Sequence, residues 1–418
     1  MGNKLFTKNL IFCRFRSISI LCFLLSMLSA QGQKLQTYIH EAESKNPDIK
    51  AYELRHTIAE EKMNEANSIP NTEFGAGYFA SEPETRTGAQ RARFSIKQML
   101  PWFGTITARE NYASSLADAE FVEVAIAKRK LALSVSQSYY QLYAIKAKQQ
   151  VLEKNIQLLK RYERLALTSV EVGNASAVDV LRLQIRQNEL QQQKEILKED
   201  FQAEKTQFNN LLNKEKEAPV EVADTMRVPF EEANLASEKL KLHPELLKYD
   251  KLFESITQSE ALNQKEGLPN IGFGLDYIPV SERTDINPSD NGKDIVMPMV
   301  SISIPIFNNK YASVSKQNEL RQQEIQAQKK ERLNVLQSAF AKALAARNTA
   351  RITVKTQQKN LKKAKNAEEI LIKSYETATI DFNDVLDIQE LQLKFQMNQI
   401  EAIKMYFKQS AIINYLTN

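Results

Sequence analysis

The sequence predicts a mixed α and β membrane protein in which long α-helical hairpins carry four short β-strands, and three observations in its 418 residues predict it. First, the stretch 105–217 contains no proline and a single glycine, Gly173, and the stretch 306–418 contains neither. Proline and glycine punctuate helices, so polar, Ala-, Leu-, Gln-, Lys- and Glu-rich runs without them read as helices of unusual length. Second, four short segments alternate with a period of two, as strands with one apolar face do. Third, landmarks of the first half return in order in the second, which makes an internal two-fold sequence repeat.

Residues 1–32 carry Lys4, Lys8, Arg14 and Arg16, no acidic residue, an apolar core over 18–28, and small residues at Ser29, Ala30 and Gly32. This is a secretory signal peptide rather than a spanning helix, because the core falls short of the ~20 residues a span requires. Cleavage is expected after Ala30 or Gly32. Both cysteines, Cys13 and Cys22, leave with it, so the mature chain is expected to have no thiol, disulfide or thiolate metal site. The same four basic residues supply most of the formal charge of +5, so the basic pI gives no argument for a nucleic-acid partner.

Strands are expected at 71–80, with Phe74, Ala76 and Tyr78 on one face, and at 91–99, with Phe94 and Ile96 against Arg93, Ser95 and Lys97. In 270–279, Ile271, Phe273, Leu275 and Tyr277 oppose Gly272, Gly274 and Asp276; in 296–304, Val300, Ile302 and Ile304 oppose Ser301 and Ser303. Such apolar faces either cover a soluble core or face lipid, and each segment is close to the ~9 to 11 residues of a tilted membrane strand. The intervening loops, 81–90 and 280–294, are polar.

The first long helix, 105–172, would extend about 100 Å at ~1.5 Å per residue. It turns at Gly173, after which Ser176 caps a return helix over 177–212 with Asp179 at the third helical position. The repeat is written in several places. Ile69-Pro70-Asn71-Thr72-Glu73-Phe74-Gly75 returns as Leu268-Pro269-Asn270-Ile271-Gly272-Phe273-Gly274, and Val178-Asp179-Val180-Leu181 returns as Asn383-Asp384-Val385-Leu386. Two repeats follow, 33–213 and 243–418 with its tip near 379, joined by a connecting segment, 214–242, that contains Pro219 and Pro229. Clean heptads are not evident; broad, Ala-rich apolar faces such as 116–127 suit helices with neighbours on both sides.

Four strands cannot close a membrane barrel, whose smallest form has eight. Two copies close eight strands around a filled interior, whereas three copies close twelve around a lumen, which twelve helical arms would continue as a duct.

Jointly, these features resemble the TolC-type outer-membrane efflux factors over essentially the whole mature chain. The resemblance is carried by the doubled architecture, by Leu100-Pro101-Trp102-Phe103-Gly104 and Ile304-Pro305-Ile306-Phe307, and by Val172-Gly173 with Val178-Asp179-Val180-Leu181 and Asp384-Val385-Leu386-Asp387. It implies a homotrimer whose twelve-stranded β-barrel sits in outer-membrane lipid and whose α-helical barrel crosses the periplasm. It further implies docking to a periplasmic adaptor, or membrane fusion protein, and to an inner-membrane pump. On this reading the lipid face comprises Phe74, Tyr78, Phe94, Ile96, Phe273, Tyr277 and Ile302. The adaptor-contact tips comprise Val172, Gly173, Asn174 and Ala175 and, in the second repeat, Thr377, Ala378 and Thr379; the family's second Val-Gly pair is replaced here by Thr377-Ala378.

A gate is expected at Asp384 and Asp387, whose spacing of three puts both carboxylates on one helical face. Three chains would converge six carboxylates on an axis, a mutually repulsive and cation-selective ring. The resemblance implies that Tyr375 helps hold the constriction shut by bonding Asp179 of the other repeat. The family's arginine clamp falls on Ile380, and Arg182 is the candidate substitute. The competing role for Asp179 and Asp384 is helix capping.

The expected function is therefore an exit duct for small molecules or metal cations. A type I protein-secretion duct and an extracytoplasmic coiled-coil scaffold are the alternatives. Met297 and Met299 share the parity of Ser301 and Ser303, and thioethers suit Cu(I), although methionine is also an ordinary apolar filler. Enzyme chemistry is missing: His40, His56 and His243 are the only histidines, with no Ser/His/Asp order, zinc-ligand spacing or phosphate-binding glycine loop. No cofactor or resident metal is expected.

Overall fold

The computed structural model describes residues 34–173, 176–229, 237–377, 379–380 and 382–417. The signal peptide and the tip residues Asn174, Ala175 and Ala378 lie outside the described residues. Helix α1 covers 34–45 and α2 covers Pro47–Ala66, and the strands β1 (Thr72–Tyr78), β2 (Glu84–Thr85), β3 (Gly88–Ala89) and β4 (Ala92–Leu100) follow. Then come α3 (Thr105–Glu171), α4 (Ala177–Leu211), a 3-10 turn (Ser237–Leu242) and α5 (Pro244–Glu266). Strands β5 (Asn270–Ile278) and β6 (Ile295–Ser303) precede α6 (Lys310–Glu376) and α7 (Phe382–Thr417). Helices α3 and α6 are each 67 residues long, against 35 for α4 and 36 for α7. Among the described residues no helix is long and apolar enough to cross a membrane.

The chain divides into two compact units, and α3 and α6 contribute to both. One unit takes 51–125 and 244–332. It holds a four-stranded antiparallel sheet in the order β1-β4-β5-β6, so among the described residues the outer edges of β1 and β6 carry no strand. Here α5 is fixed to the beginnings of α3 and α6 by polar side chains. Arg109 pairs with Glu266 at 3.1 Å, Lys251 with Asp118 at 3.0 Å, and Asn263 Nδ2 donates to the Tyr311 carbonyl at 2.9 Å. Ser315 and Asn318 donate to Glu260 at 2.7 and 2.9 Å. Burial alone would raise the Glu260 pKa, but these bonds, with one from Gln264, outweigh it and hold the carboxyl below its ordinary range.

The loop between β1 and β4 contains more order than the sequence predicts. Strands β2 and β3 pair as a minimal hairpin, Gly88 takes φ +131°, and the Thr85 hydroxyl donates to the Gly88 carbonyl at 2.7 Å. A Cβ at Gly88 would collide with the Ser281 carbonyl oxygen of the second loop, so only glycine fits. Backbone bonds from Ser281 to Ala89 and from Gly292 to Thr87 join the two loops.

The other unit takes 34–50, 126–243 and 333–417. Its core is a four-helix contact: Leu152, Ile156, Leu159, Tyr162 and Ala166 of α3, Val180, Leu183 and Leu190 of α4, Tyr375 of α6, and Phe382, Val385 and Leu393 of α7. The buried positions of α7 step 382, 385, 389 and 392, a heptad-like spacing. Two of those positions carry Gln389 and Gln392, which is why apolar counting finds no clean heptad. Both are paired: Gln389 donates to Asn155 at 2.6 Å and Gln392 to Glu368 at 2.8 Å, while the Tyr162 hydroxyl donates to Glu368 at 2.5 Å. Desolvation, with the Glu368 bond adding to it, pushes the Tyr162 phenol far above its ordinary pKa.

The segment after α4 packs on this unit as extended chain rather than as a helix. Asn209, fully buried, donates to the Lys216 and Ala218 carbonyls at 3.0 Å each. The hydroxyls of Tyr139 and Tyr143, one helical turn apart on α3, accept the backbone N–H groups of Ala223 and Met226 at 3.0 and 3.1 Å. On α1, Tyr38 accepts the Glu221 N–H at 3.0 Å.

Candidate channel wall and closing site

Direct pairing fixes the two faces of the sheet, because residues opposite one another across an antiparallel ladder point the same way. The register runs Phe74↔Ile96↔Leu275↔Pro298 in one row, Ala76↔Phe94↔Tyr277↔Val296 in the next, and Phe273↔Val300 and Ile271↔Ile302 beyond. All seven residues expected on the lipid face therefore share one face, and apart from Thr72 and Gln98 at one end that face is apolar or aromatic. Phe74 and Tyr78 are 80% and 75% exposed, and Val300 and Ile302 71% and 62%. The ladder joins Ile271, Leu275 and Val300, already on apolar strand faces by their periodicity, to the same surface and adds Val296.

The opposite face carries Glu73, Arg93, Ser95, Lys97, Asp276, Ser301 and Ser303 among small glycines. Asp276 is fully buried and ion-paired to Arg93 through Oδ2, while its Oδ1 has no hydrogen-bond partner among the described residues. Exposed apolar groups on one face and charges on the other suit a wall between lipid and water.

The first helical turn is built as expected. Gly173 adopts φ +74° and its N–H bonds the Val170 carbonyl at 3.0 Å, closing α3 in the left-handed conformation that glycine accepts without a Cβ penalty. Ser176 caps α4 by accepting the Val178 N–H at 3.2 Å. Val172 is 65% exposed. In the second repeat, Thr377 and Thr379 share a hydroxyl bond of 2.6 Å, and Thr379 N–H bonds the Ser374 carbonyl at 2.9 Å.

Of the residues assigned to the gate, Asp179 is buried and faces Arg182 at 3.9 Å, and Arg182 also donates to Asn383, the neighbour of Asp384. Arg182 thus bridges the starts of α4 and α7. Asp384 and Asp387 are both exposed, on one side of α7. Tyr375 is 6% exposed, its ring 4.8 Å edge-on to Phe382, which in turn meets Tyr162 at 5.9 Å. Sequence reading missed Asn383 and Phe382, since neither an amide nor a phenylalanine at a helix start carries a signal by itself. Ile380, at the position of the family's clamp arginine, packs against the core instead.

The sequence profile of the outer membrane efflux protein family matches residues 38–214. No curated protein matches the chain by sequence. Among solved structures the chain is similar to CusC, at 14% identity over 92% of both chains with a TM-score of 0.75. It is similar to the outer membrane protein VceC of Vibrio cholerae at 17% identity over 92% of this chain and 96% of that one, TM-score 0.73. The open state of the MtrE outer membrane channel of Neisseria gonorrhoeae matches at 15% identity over 92% and 88%, TM-score 0.72. At such identities the likeness is one of fold, and the fold is that of the outer-membrane channels. The profile match over residues 38–214 and the fold together make the chain similar to the outer membrane efflux proteins.

Proposed function

We propose that the chain is the exit channel of a tripartite efflux system, assembled as a homotrimer that closes a twelve-stranded barrel in the outer membrane and continues as a helical duct through the periplasm. The observation that carries this reading is the four-stranded sheet with two unpaired edges, one apolar face and one charged face. Alone it would leave two strand edges and a broad apolar surface open, which proteins avoid; three copies joined β6 to β1 satisfy both. The equal lengths of α3 and α6, and the near-equal lengths of α4 and α7, support a chain built from two repeats, 33–213 and 243–418, around the segment 214–242.

The helical turns around Val172-Gly173 and Thr377-Thr379 would meet a periplasmic adaptor, with an inner-membrane pump behind it. Asp384 and Asp387 would line the closing ring, with Tyr375, Asp179 and Arg182 holding α7 to α4. The exposure of both aspartates on one side of α7, and the reach of Arg182 to Asn383, support this assignment. The cargo on this reading is a small molecule or a metal cation. Fractionation followed by light scattering of the detergent-solubilised protein tests the proposal. A trimer from the outer membrane is expected, and a detergent-independent monomer in the soluble periplasmic fraction overturns it.

A further inference from the structure

In the unit that holds the four-helix core, α4 and α6 each leave a stripe bare. On α4 it runs Leu181, Ile185, Asn188, Gln192, Glu195 and Glu199, and on α6 it runs Ile352, Thr356, Lys359, Lys363 and Ile370. Steps of three, four or seven keep each stripe on one helical face, and every residue in both is exposed. Leu181, Ile185, Ile352 and Ile370 are each more than half exposed, as is Ile196 beside Glu195, and a row of such side chains marks a surface that another protein covers. The charges between them differ in sign. No acidic residue occurs on α6 between Glu331 and Glu368, where lysine and arginine recur. Among the described residues Lys359 and Lys363 meet no carboxylate, and Glu195 and Glu199 meet no cation.

The two helices run in opposite directions from the same end of this unit, because Arg182 joins Asn383 and one cluster holds Val180, Tyr375 and Phe382. Ile370 lies six residues before the end of α6, and Leu181 and Ile185 lie four and eight residues past the start of α4. Lys359 lies seventeen before that end, and Glu195 eighteen past that start. At ~1.5 Å per residue the apolar residues stand at equal height about 9 Å from the turns, and the two charges at equal height about 26 Å from them. We propose that α6 of one copy packs lengthwise against α4 of the next, with Ile370 between the next copy's Leu181 and Ile185 and Lys359 against its Glu195. The inference rests on the channel reading for the number of copies. Each copy offers a different face to each neighbour, the kind of contact that closes as a ring. Burial of the apolar residues supplies the attraction, while the ion pairs, individually weak at a surface, fix the register.

Disulfide trapping tests it, since the only cysteines of the chain, Cys13 and Cys22, lie in the segment expected to be removed. The mass of each detergent-solubilised variant is first measured by light scattering. Mild oxidation of L181C/I370C should then give covalent dimers and trimers on denaturing gels, and L181C or I370C alone should give none. The pair E199C/I370C, out of step by ~24 Å along the helices, should also give none, because a disulfide needs Cα atoms within about 7 Å. In the L181C/I370C background, K359E should lower the covalent yield severalfold and E195K added to it should restore the yield, a rescue that misfolding would not show. A trimer in which the aligned pair stays single-chain, or in which the misaligned pair cross-links equally, overturns this interface and leaves the channel reading standing. A monomer overturns both.

Discussion

Asp179 and Asp384 occupy the same place in their helices, the third residue of α4 and of α7, where a carboxylate interacts favourably with the helix dipole. Their surroundings differ: Asp179 is buried beside Arg182, whereas Asp384 and Asp387 are open. Either setting suits a capping carboxylate, and only the second leaves the oxygens open to solvent. In reconstituted channels, Asp384→Ala with Asp387→Ala should lower cation preference and block by trivalent ions, and single-channel recording checks both. Tyr375→Phe should raise conductance without changing selectivity; unchanged selectivity in the aspartate double variant would leave capping as their role. A second residue-level prediction concerns pH. Burial, with the charge of a deprotonated Tyr139 adding to it, pushes the Tyr140 phenol up to about 12. The folded chain then holds a proton that the unfolded chain releases above pH 10, so this contribution is complete below about 10 and is lost as pH rises towards about 12. In an alkaline titration followed by tyrosinate absorbance and helicity, Tyr140→Phe should flatten the decline in that window.

At the scale of elements, the helices were legible because their ends carry chemistry: Gly173 stops α3 and Ser176 starts α4. Removing that start by Ser176→Ala should cost about 1 kcal/mol, read from thermal unfolding of the helical signal. What holds α7 to its neighbours was not legible, since Gln389, Gln392 and Asn155 fill buried positions that apolar periodicity scores as surface. The segment after α4 was equally opaque. Its order comes from hydroxyls on a helix more than eighty residues earlier, those of Tyr139 and Tyr143. Tyr139→Phe with Tyr143→Phe leaves two backbone N–H groups without acceptors, at roughly 1 to 3 kcal/mol each. Hydrogen exchange at Ala223 and Met226 should accelerate, with α3 itself unchanged.

At the scale of the whole molecule, the sheet was legible almost residue by residue because a period of two assigns faces without knowledge of pairing. Pairing itself was not: only the ladder shows that Met99 joins Met297 and Met299, and that Val300 joins Phe273. A charge placed on the apolar face, such as Val300→Arg, should destabilise the assembled protein by about 2 to 4 kcal/mol if it lies near the bilayer midplane. Ser301→Arg, one residue along on the other face, should cost much less, and the thermal dissociation of the oligomer compares them. The order β1-β4-β5-β6 also sets a clock. Strand β4 pairs with β5, yet all of α3, α4 and α5 must be made between them. At roughly 5 to 20 residues per second, the first hairpin emerges on the order of ten seconds or more before its partner strand exists. During that interval Phe74, Tyr78, Phe94 and Ile96 sit on a two-stranded ribbon, which is too small to be stable by itself in water. The sheet therefore cannot be completed until the second repeat has been made, and any delay in translating the helices between lengthens the time for which this apolar face stands without its partner strands.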